Sequence, residues 1–179
     1  VIRDGEAVLA GVRFKQAKTS RPNRPMQPGD HGVRLVTGFE LNGGLAQLVA
    51  EIKAQCAHVV ERGSRERTAV LLLGRRNDTL RAIQAELDRK LPVKAYTIHR
   101  AKGLQAEVAI VVDDCLPPQP HPLRNALYAY CGFFRNSYDQ AMADESLRLA
   151  YVAITRGASR VLWYTRKAQG ATALLRPRG

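Results

Sequence analysis

The chain has 179 residues, 45% hydrophobic and 25% charged, which suits one packed domain and excludes a disordered polymer, a low-complexity tail or a complete two-domain motor. Lys and Arg number 28 against 16 Asp and Glu, and the resulting formal charge of +12 favours a polyanionic partner, most simply nucleic acid. No apolar run approaches the roughly 20 residues that span a bilayer, and no basic amphipathic helix stands out, so no membrane partner is expected.

Residues 1–31 hold Arg21-Pro22-Asn23-Arg24-Pro25 and Gln27-Pro28-Gly29-Asp30, and their turn-rich, basic character predicts a linker or extended arm. The packed domain is expected over 32–179. Val33, Leu35, Thr37 and Phe39 alternate as in a half-buried strand, and Asn42-Gly43-Gly44 is expected to turn the chain. Leu45, Leu48, Val49, Ile52, Cys56, Val59 and Val60 then recur at helical spacing, with Glu51, Lys53 and Gln55 off the apolar face, and Gly63-Ser64 ends the helix. Thr68 to Leu73 reads as a buried strand. Asn77-Asp78 offers an N-cap to a helix carrying Leu80, Ile83 and Leu87 inward, stopped by Pro92.

Ala95 to Ile98 predicts another strand, and the β-branched run Val108 to Val112 predicts one covered on both faces. Leu116-Pro117-Pro118-Gln119-Pro120-His121-Pro122 is a loop, part of an insertion at about 114–143. Helices are expected at Leu123–Cys131 and from about Asp144 to Thr155, the second with Leu147, Ala150, Tyr151 and Ile154 on one face. Val161 to Tyr164 supplies the last strand. Strand and helix alternate, so the fold class is α/β: a mostly parallel sheet with helices on both faces and with sites at the carboxyl ends of its strands. There is no internal repeat.

Two segments carry chemistry. Thr97-Ile98-His99-Arg100-Ala101-Lys102-Gly103-Leu104-Gln105 places hydroxyl, imidazole, ammonium and exposed backbone N–H groups directly after a strand, groups that contact phosphates; a solvated turn is the plain alternative. Asp144 to Gly157 forms an apolar-striped helix ending in Thr155-Arg156-Gly157. An arginine held there could reach across an interface to a phosphoryl group, or could simply favour the helix carboxyl terminus at about 0.3–1 kcal/mol.

Together these two segments resemble motifs V and VI of the UvrD/Rep family of superfamily 1 DNA helicases, in the right order, and Ala69 to Asn77 is similar to the family's segment IVa. The resemblance extends more weakly from about Gly32 to Tyr164. It implies a RecA-like fold and the second, C-terminal motor domain of an enzyme that couples ATP hydrolysis to 3'-to-5' movement on single-stranded or partly duplex DNA. Carried over position by position, Arg156 matches the arginine that contacts the γ-phosphate, and Gly103 and Gln105 fall on the nucleotide side. Gln105 stands where a glutamate usually accepts a hydrogen bond from the ribose. Thr97, His99, Lys102 and Arg75 match the DNA side. Gly157 replaces the commoner alanine and is expected to loosen the end of the helix. About twenty residues separate Arg75 from Thr97, where larger members insert an accessory domain, so the compact helicase IV-like type is the nearer pattern.

Absences shape the rest. No G-x-x-x-x-G-K-[ST] occurs, and Ala17-Lys18-Thr19-Ser20 lacks the glycines that would cradle phosphate; Asp113-Asp114 is expected to be a solvated strand end rather than a magnesium site. With these absences, the resemblance implies that ATP and Mg²⁺ belong to a full-length parent whose N-terminal RecA-like domain carries the P-loop, and the chain alone is expected to be inactive. Val1 in place of Met and the Leu-Leu-Arg-Pro-Arg-Gly ending suggest an excised piece. Cys115, His121 and Cys131 fall short of a metal site, and none is expected. Three cysteines without a C-x-x-C pair, and no signal peptide, point to a reducing compartment, the cytoplasm, with nucleoid association implied for a helicase. Tyr128, Tyr130, Phe133, Phe134 and Tyr138 form an aromatic cluster that packs on the sheet or stacks bases. The competing reading is a non-catalytic nucleic-acid-binding or protein-interaction module with a degenerate helicase fold. The resemblance leaves the parent's pathway open among repair, recombination, plasmid transfer and phage defence.

Overall fold

The computed structural model describes residues 1–13, 21, 25–63, 68–132 and 136–175. Its elements, in chain order, are α1 (Ile2–Leu9), β1 (Val33–Val36), α2 (Leu41–Glu61), β2 (Val70–Gly74), α3 (Asn77–Ala85), β3 (Val93–Thr97), β4 (Ala106–Val112), α4 (Pro122–Tyr130), α5 (Tyr138–Ile154), β5 (Gly157–Tyr164) and a closing 3-10 turn, Gly170–Leu174. The five strands form one sheet in the order β1-β5-β4-β2-β3, and every pairing is parallel. A parallel sheet needs both faces covered, and alternate side chains of the apolar runs supply two cores.

On one face Leu71, Leu73, Ala109, Val111, Val161 and Trp163 meet Val8 of α1 and Leu149, Ala150, Ala153 and Ile154 of α5. On the other, Val70, Leu72, Val108, Ile110 and Leu162 meet Leu48, Ile52, Cys56 and Val59 of α2 and Leu80 and Ile83 of α3. Val108 to Val112 are fully buried, as the β-branched run predicts, and each of its valine and isoleucine side chains contributes about 1.5–3 kcal/mol by leaving water. Pro122 opens α4 at its first helical position, where a missing N–H costs nothing. Ser137 and Gln140 form a reciprocal capping box that starts α5.

Several expectations change. The N-terminal arm begins as a helix: α1 lies against α5, with Val8 buried and the Asp4 carboxylate accepting a 2.8 Å hydrogen bond from the Val33 N–H at the head of β1. Only a few apolar residues mark this short helix in the sequence, and it is held by tertiary packing. The arm's residues 14–20 and 22–24 lie outside the described residues. Asn42-Gly43-Gly44 does not turn the chain but forms the first turn of α2; a Cβ on Gly44 would stand 2.7 Å from the Phe39 ring, so the glycine admits that ring against the helix. Gln55, expected on the solvated face, is buried between Glu51 and Arg160. The N-cap of α3 is Arg76 rather than Asn77-Asp78.

Asp113-Asp114 is not a solvated strand end. The Asp114 carboxylate accepts from Thr165 Oγ1 and, at 2.6 Å, from Gln169 Nε2, tying the end of β4 to the chain after β5. Asp113 takes a left-handed φ of 77°, and its carbonyl accepts a 3.0 Å bond from the Trp163 indole N–H.

In the 114–143 region, α4 packs on the start of α5 through Asn125 and Asp139 and through the edge-on rings of Tyr128 and Tyr138, 5.7 Å apart. Tyr130 is exposed, and Phe133 and Phe134 lie outside the described residues. The three thiols differ sharply in access. Burial pushes Cys56 up to about 11 and Cys115 up to about 12, while Cys131 sits exposed at the end of α4. We expect a thiol reagent at pH 8 to modify one cysteine per folded chain rapidly, and Cys131→Ser to remove that fast phase; rapid reaction of all three would contradict the packing.

Candidate functional site

In a parallel sheet the strands share a common amino edge and a common carboxyl edge, separated along the seven-residue β4 by about 20 Å. Thr97 pairs with Gly74, and the Ile98 N–H bonds the Gly74 carbonyl at 3.0 Å, so Arg75, Thr97 and His99 gather at the carboxyl edge. His99 is exposed; Thr97 is half-buried. The Arg75 guanidinium donates a 2.8 Å bond to the Leu116 carbonyl and so braces the loop that follows β4. Exposed Arg76, Arg100, Arg166 and Lys167 follow strands at the same edge, with Arg166 paired to Glu40 at 3.0 Å.

The segment after Thr97 is not a local turn. It is a crossover of 98–105 that leaves the carboxyl edge of β3, passes the neighbouring β2 and enters β4 at the amino edge. Ile98 and Ala101 are buried in the same core as α5, and bonds from Ala101 N to Thr97 O (3.0 Å) and from Leu104 N to Ala101 O (3.0 Å) fold the crossover into two tight turns. Gly103 adopts φ +87° with open space around it, a backbone state that suits glycine. Lys102 and Gln105 are exposed, on the stretch that descends to the amino edge.

Arg156 lies at that amino edge, between α5 and β5, and its carbonyl accepts from the Ala106 N–H at 3.0 Å. Its guanidinium faces carbonyl oxygens. Nε donates to Val152 O at 2.9 Å, one terminal nitrogen donates to Leu104 O at 2.7 Å and Ala101 O at 3.4 Å, and the other donates to Thr155 Oγ1 at 2.9 Å. Thr155 Oγ1 itself donates to the Tyr151 and Val152 carbonyls at 2.9 and 3.1 Å, the i−4 and i−3 acceptors of the last helical turn. Among the described residues no carboxylate pairs with this guanidinium, and burial lowers its pKa from the ordinary arginine value, with Tyr151 opposing. The cation is held by dipoles alone, with one N–H on the outer nitrogen left beyond these described acceptors.

The predicted site residues thus form two groups on opposite edges. Arg75, Thr97 and His99 meet at one; Gly103, Gln105 and Arg156 meet at the other, and Lys102 lies between them on the crossover. Sequence reasoning names these positions but not the oxygens around Arg156. Thr155 stands within the segment that drew attention, yet its role depends on the helix ending where its hydroxyl can face the guanidinium. Main-chain carbonyls leave no residue-type signal at all.

Gly157 is the first residue of β5, and β5 carries one residue more than β4 between the pairs Ala106–Gly157 and Val108–Arg160. This bulge curls the chain so that a Cβ on residue 157 would collide with the Arg160 carbonyl and stand 3.1 Å from the Ala109 nitrogen. Glycine is required there by close backbone approach, and the expected loosening of the helix end gives way to a steric role. Cys115 is buried while His121 and Cys131 are exposed, and among the described residues no three His, Cys, Asp or Glu side chains are gathered as metal ligands.

The five-stranded parallel sheet, its two helical layers and its crossovers define an α/β fold of the RecA-like type. Among solved structures, the C-terminal domain of a possible DNA helicase from Lactobacillus plantarum WCFS1 is similar, with a TM-score of 0.51 over 97% of this chain and 91% of that one, at 14% identity. Likeness at that identity speaks for the fold. No protein-family model and no curated protein matches the chain. Among the described residues no helix is long and apolar enough to cross a membrane.

Proposed function

We propose that the chain is the second RecA-like domain of a UvrD/Rep-type DNA helicase, contributing an arginine finger to ATP bound mainly by a P-loop domain of the same parent polypeptide and contributing part of the single-stranded DNA path. The observation that carries this reading is the direct junction of Arg156 with the crossover: the two segments that resemble motifs VI and V are bonded to one another, and they link a cationic edge to an edge where one guanidinium N–H has no acceptor among the described residues.

The division of labour follows from the two edges. At the amino edge, Arg156 would meet the γ-phosphate and the exposed Gln105 amide the ribose, with Gly103 giving the crossover its turn beside them. Bound ATP with Mg²⁺ would supply the transferable phosphoryl group. The residues fit that use, because Arg156 is poised by neutral acceptors rather than neutralised by a carboxylate. At the carboxyl edge, Arg75, Thr97 and His99 would track a DNA backbone with Lys102 supporting from the crossover, in keeping with the net charge of +12. The sequence of this chain has no P-loop pattern, and the chain by itself is not expected to turn over ATP.

A fluorescent single-stranded oligonucleotide tests the reading. The 179-residue protein should bind it at low salt and lose affinity by at least ~10-fold between 50 and 200 mM salt, as polyanion binding with counterion release requires. Substituting His99→Ala and Thr97→Ala together should weaken binding at every salt concentration. Failure of the wild-type protein to bind at the lowest salt would overturn the DNA assignment.

A further inference from the structure

The sheet has two outer strands, β1 and β3, and they are finished differently. On β1 the Asp4 carboxylate takes the outward Val33 N–H. On β3 the ladder to β2 fixes which groups face outward. The Val70 N–H bonds the Pro92 carbonyl at one end and the Ile98 N–H bonds the Gly74 carbonyl at the other, so residues 94 and 96 turn their main-chain groups to β2, and residues 93, 95 and 97 turn theirs away. Two of these outward groups are spent locally: the Val93 N–H on the Leu91 carbonyl at 2.7 Å, and the Thr97 carbonyl on the Ala101 N–H at 3.0 Å. The Val93 carbonyl, both groups of Ala95 and the Thr97 N–H have no partner among the described residues. Neither a proline nor a bulge, the usual protections of an edge, interrupts Val93–Thr97.

We infer that this edge pairs with itself: a second copy of the chain adds its own β3 antiparallel, about a two-fold axis through Ala95, and joins two five-stranded sheets into one. Such pairing needs a strand whose remaining donors and acceptors match their own reversal. Those of β3 do. Ala95 of one copy and Ala95 of the other exchange both N–H···O bonds, and the Thr97 N–H of each copy reaches the Val93 carbonyl of the other. These bonds use every outward group that is left over and neither of the groups already spent. A slip of two residues in either direction sets the Ala95 N–H against the Thr97 carbonyl or the Ala95 carbonyl against the Val93 N–H, both already engaged.

The side chains agree with this register. Lys94 is exposed, and on one face it stands opposite Tyr96 of the other copy, so the strand's only charge meets an aromatic ring and not a second cation. On the other face Val93 stands opposite Thr97. A five-residue strand makes a small contact, so the dimer is weak and concentration-dependent. The formal charge of +12 on each copy opposes it over distances that salt screens, so association tightens as salt rises, the reverse of DNA binding. The inference does not depend on the helicase reading.

Sedimentation equilibrium between about 10 μM and about 1 mM protein should show monomer passing to dimer, with the association constant rising ~3-fold or more from about 0.05 to about 0.3 M salt. Over the same concentrations, amide exchange at Ala95 and Thr97 should slow ~5-fold or more, while Lys94 and Tyr96, already bonded to β2, keep their rates. Ala95→Pro removes an outward N–H and no ladder bond, a use of proline that edge strands accept, and should abolish the dimer while circular dichroism and the thermal midpoint report an intact fold. Lys94→Glu should weaken association ~3-fold or more at about 0.3 M salt, although it lowers the net charge that opposes association.

A chain that stays monomeric to about 1 mM at about 0.3 M salt overturns the inference, as does exchange at Ala95 and Thr97 that is independent of concentration. A dimer that persists in folded Ala95→Pro also overturns it and moves the contact elsewhere, to a surface such as the exposed Leu123, Leu127 and Tyr130 of α4. Should Ala95→Pro fail to fold, Lys94→Glu and the alternation of exchange along β3 decide the matter.

Discussion

Gly157→Ala is expected to destabilise the domain by about 3 kcal/mol, or roughly 9 °C in Tm for a chain of this length, measured by urea and thermal unfolding. The added methyl has no free direction. It would strike the Arg160 carbonyl, stand 2.9 Å from the Val161 Cγ2 and 3.1 Å from the Ala109 nitrogen, and two of these three are main-chain atoms of paired strands that cannot rotate away. Relief would require removing the extra residue of the β5 bulge or opening the pairing of β4 with β5 at its amino edge. The substitution restores the alanine commoner in the family that the sequence resembles, so a pattern-based expectation gives the opposite sign. A variant as stable as the wild type would mean that the bulge relaxes without cost and that the close approach is not what selects glycine.

Trp163→Ala should cost still more, about 4 kcal/mol, the ordinary range for truncating a buried aromatic. Trp163 is fully buried on the central part of the sheet, and its indole N–H satisfies the Asp113 carbonyl at 3.0 Å. That bond also supports a left-handed aspartate, a conformation which costs about 1–3 kcal/mol in a non-glycine residue and persists only when its surroundings impose it. Trp163→Phe separates the two contributions. Phenylalanine retains most of the apolar contact but leaves the carbonyl without its donor, and about 1–2 kcal/mol should be lost. If Phe and Ala variants lose equal stability, the hydrogen bond rather than the packing dominates.

Much of the fold was legible because its signals are local. The unbroken apolar runs that form β2 and β4, the alternation at Val33 and Leu35, and the helical spacing of α2 and α5 survive into the structure with boundaries shifted by a few residues. The misses share a cause in tertiary contact. Asn42-Gly43-Gly44 has turn composition, yet the ring of Phe39 lies where a Cβ would be, and the helix starts early. Helix α1 is too short to announce itself and owes its form to α5 and to the Asp4 bond with β1.

For the candidate site, the sequence singles out residues but not their arrangement. Nothing in Thr97 to Gln105 says that its two ends lie at opposite edges of a sheet, because that depends on β2 being inserted between β3 and β4. The surroundings of Arg156 are main-chain oxygens, which every residue carries alike. Acidic pairs at strand ends usually face solvent, which is what the sequence of Asp113-Asp114 predicts; here Thr165 and Gln169 hold one, and Trp163 and Tyr164 hold the backbone of the other.

The pairing of β1 with β5, in register Val33 to Val161 through Val36 to Tyr164, has a consequence for how the polypeptide reaches this state. Among the described strands, the earliest in the chain has as its sheet partner the latest, so the outer ladder closes only after synthesis has passed Tyr164, and no hairpin or adjacent crossover can nucleate it. Strands β2, β3 and β4 are close in the chain and adjacent in the sheet, so they can assemble first, leaving β1 and α1 to dock in a late, entropically slow step. A nascent chain stalled before residue 157 would therefore present an unpaired edge at β4, where association with other chains is favoured over completion of the fold.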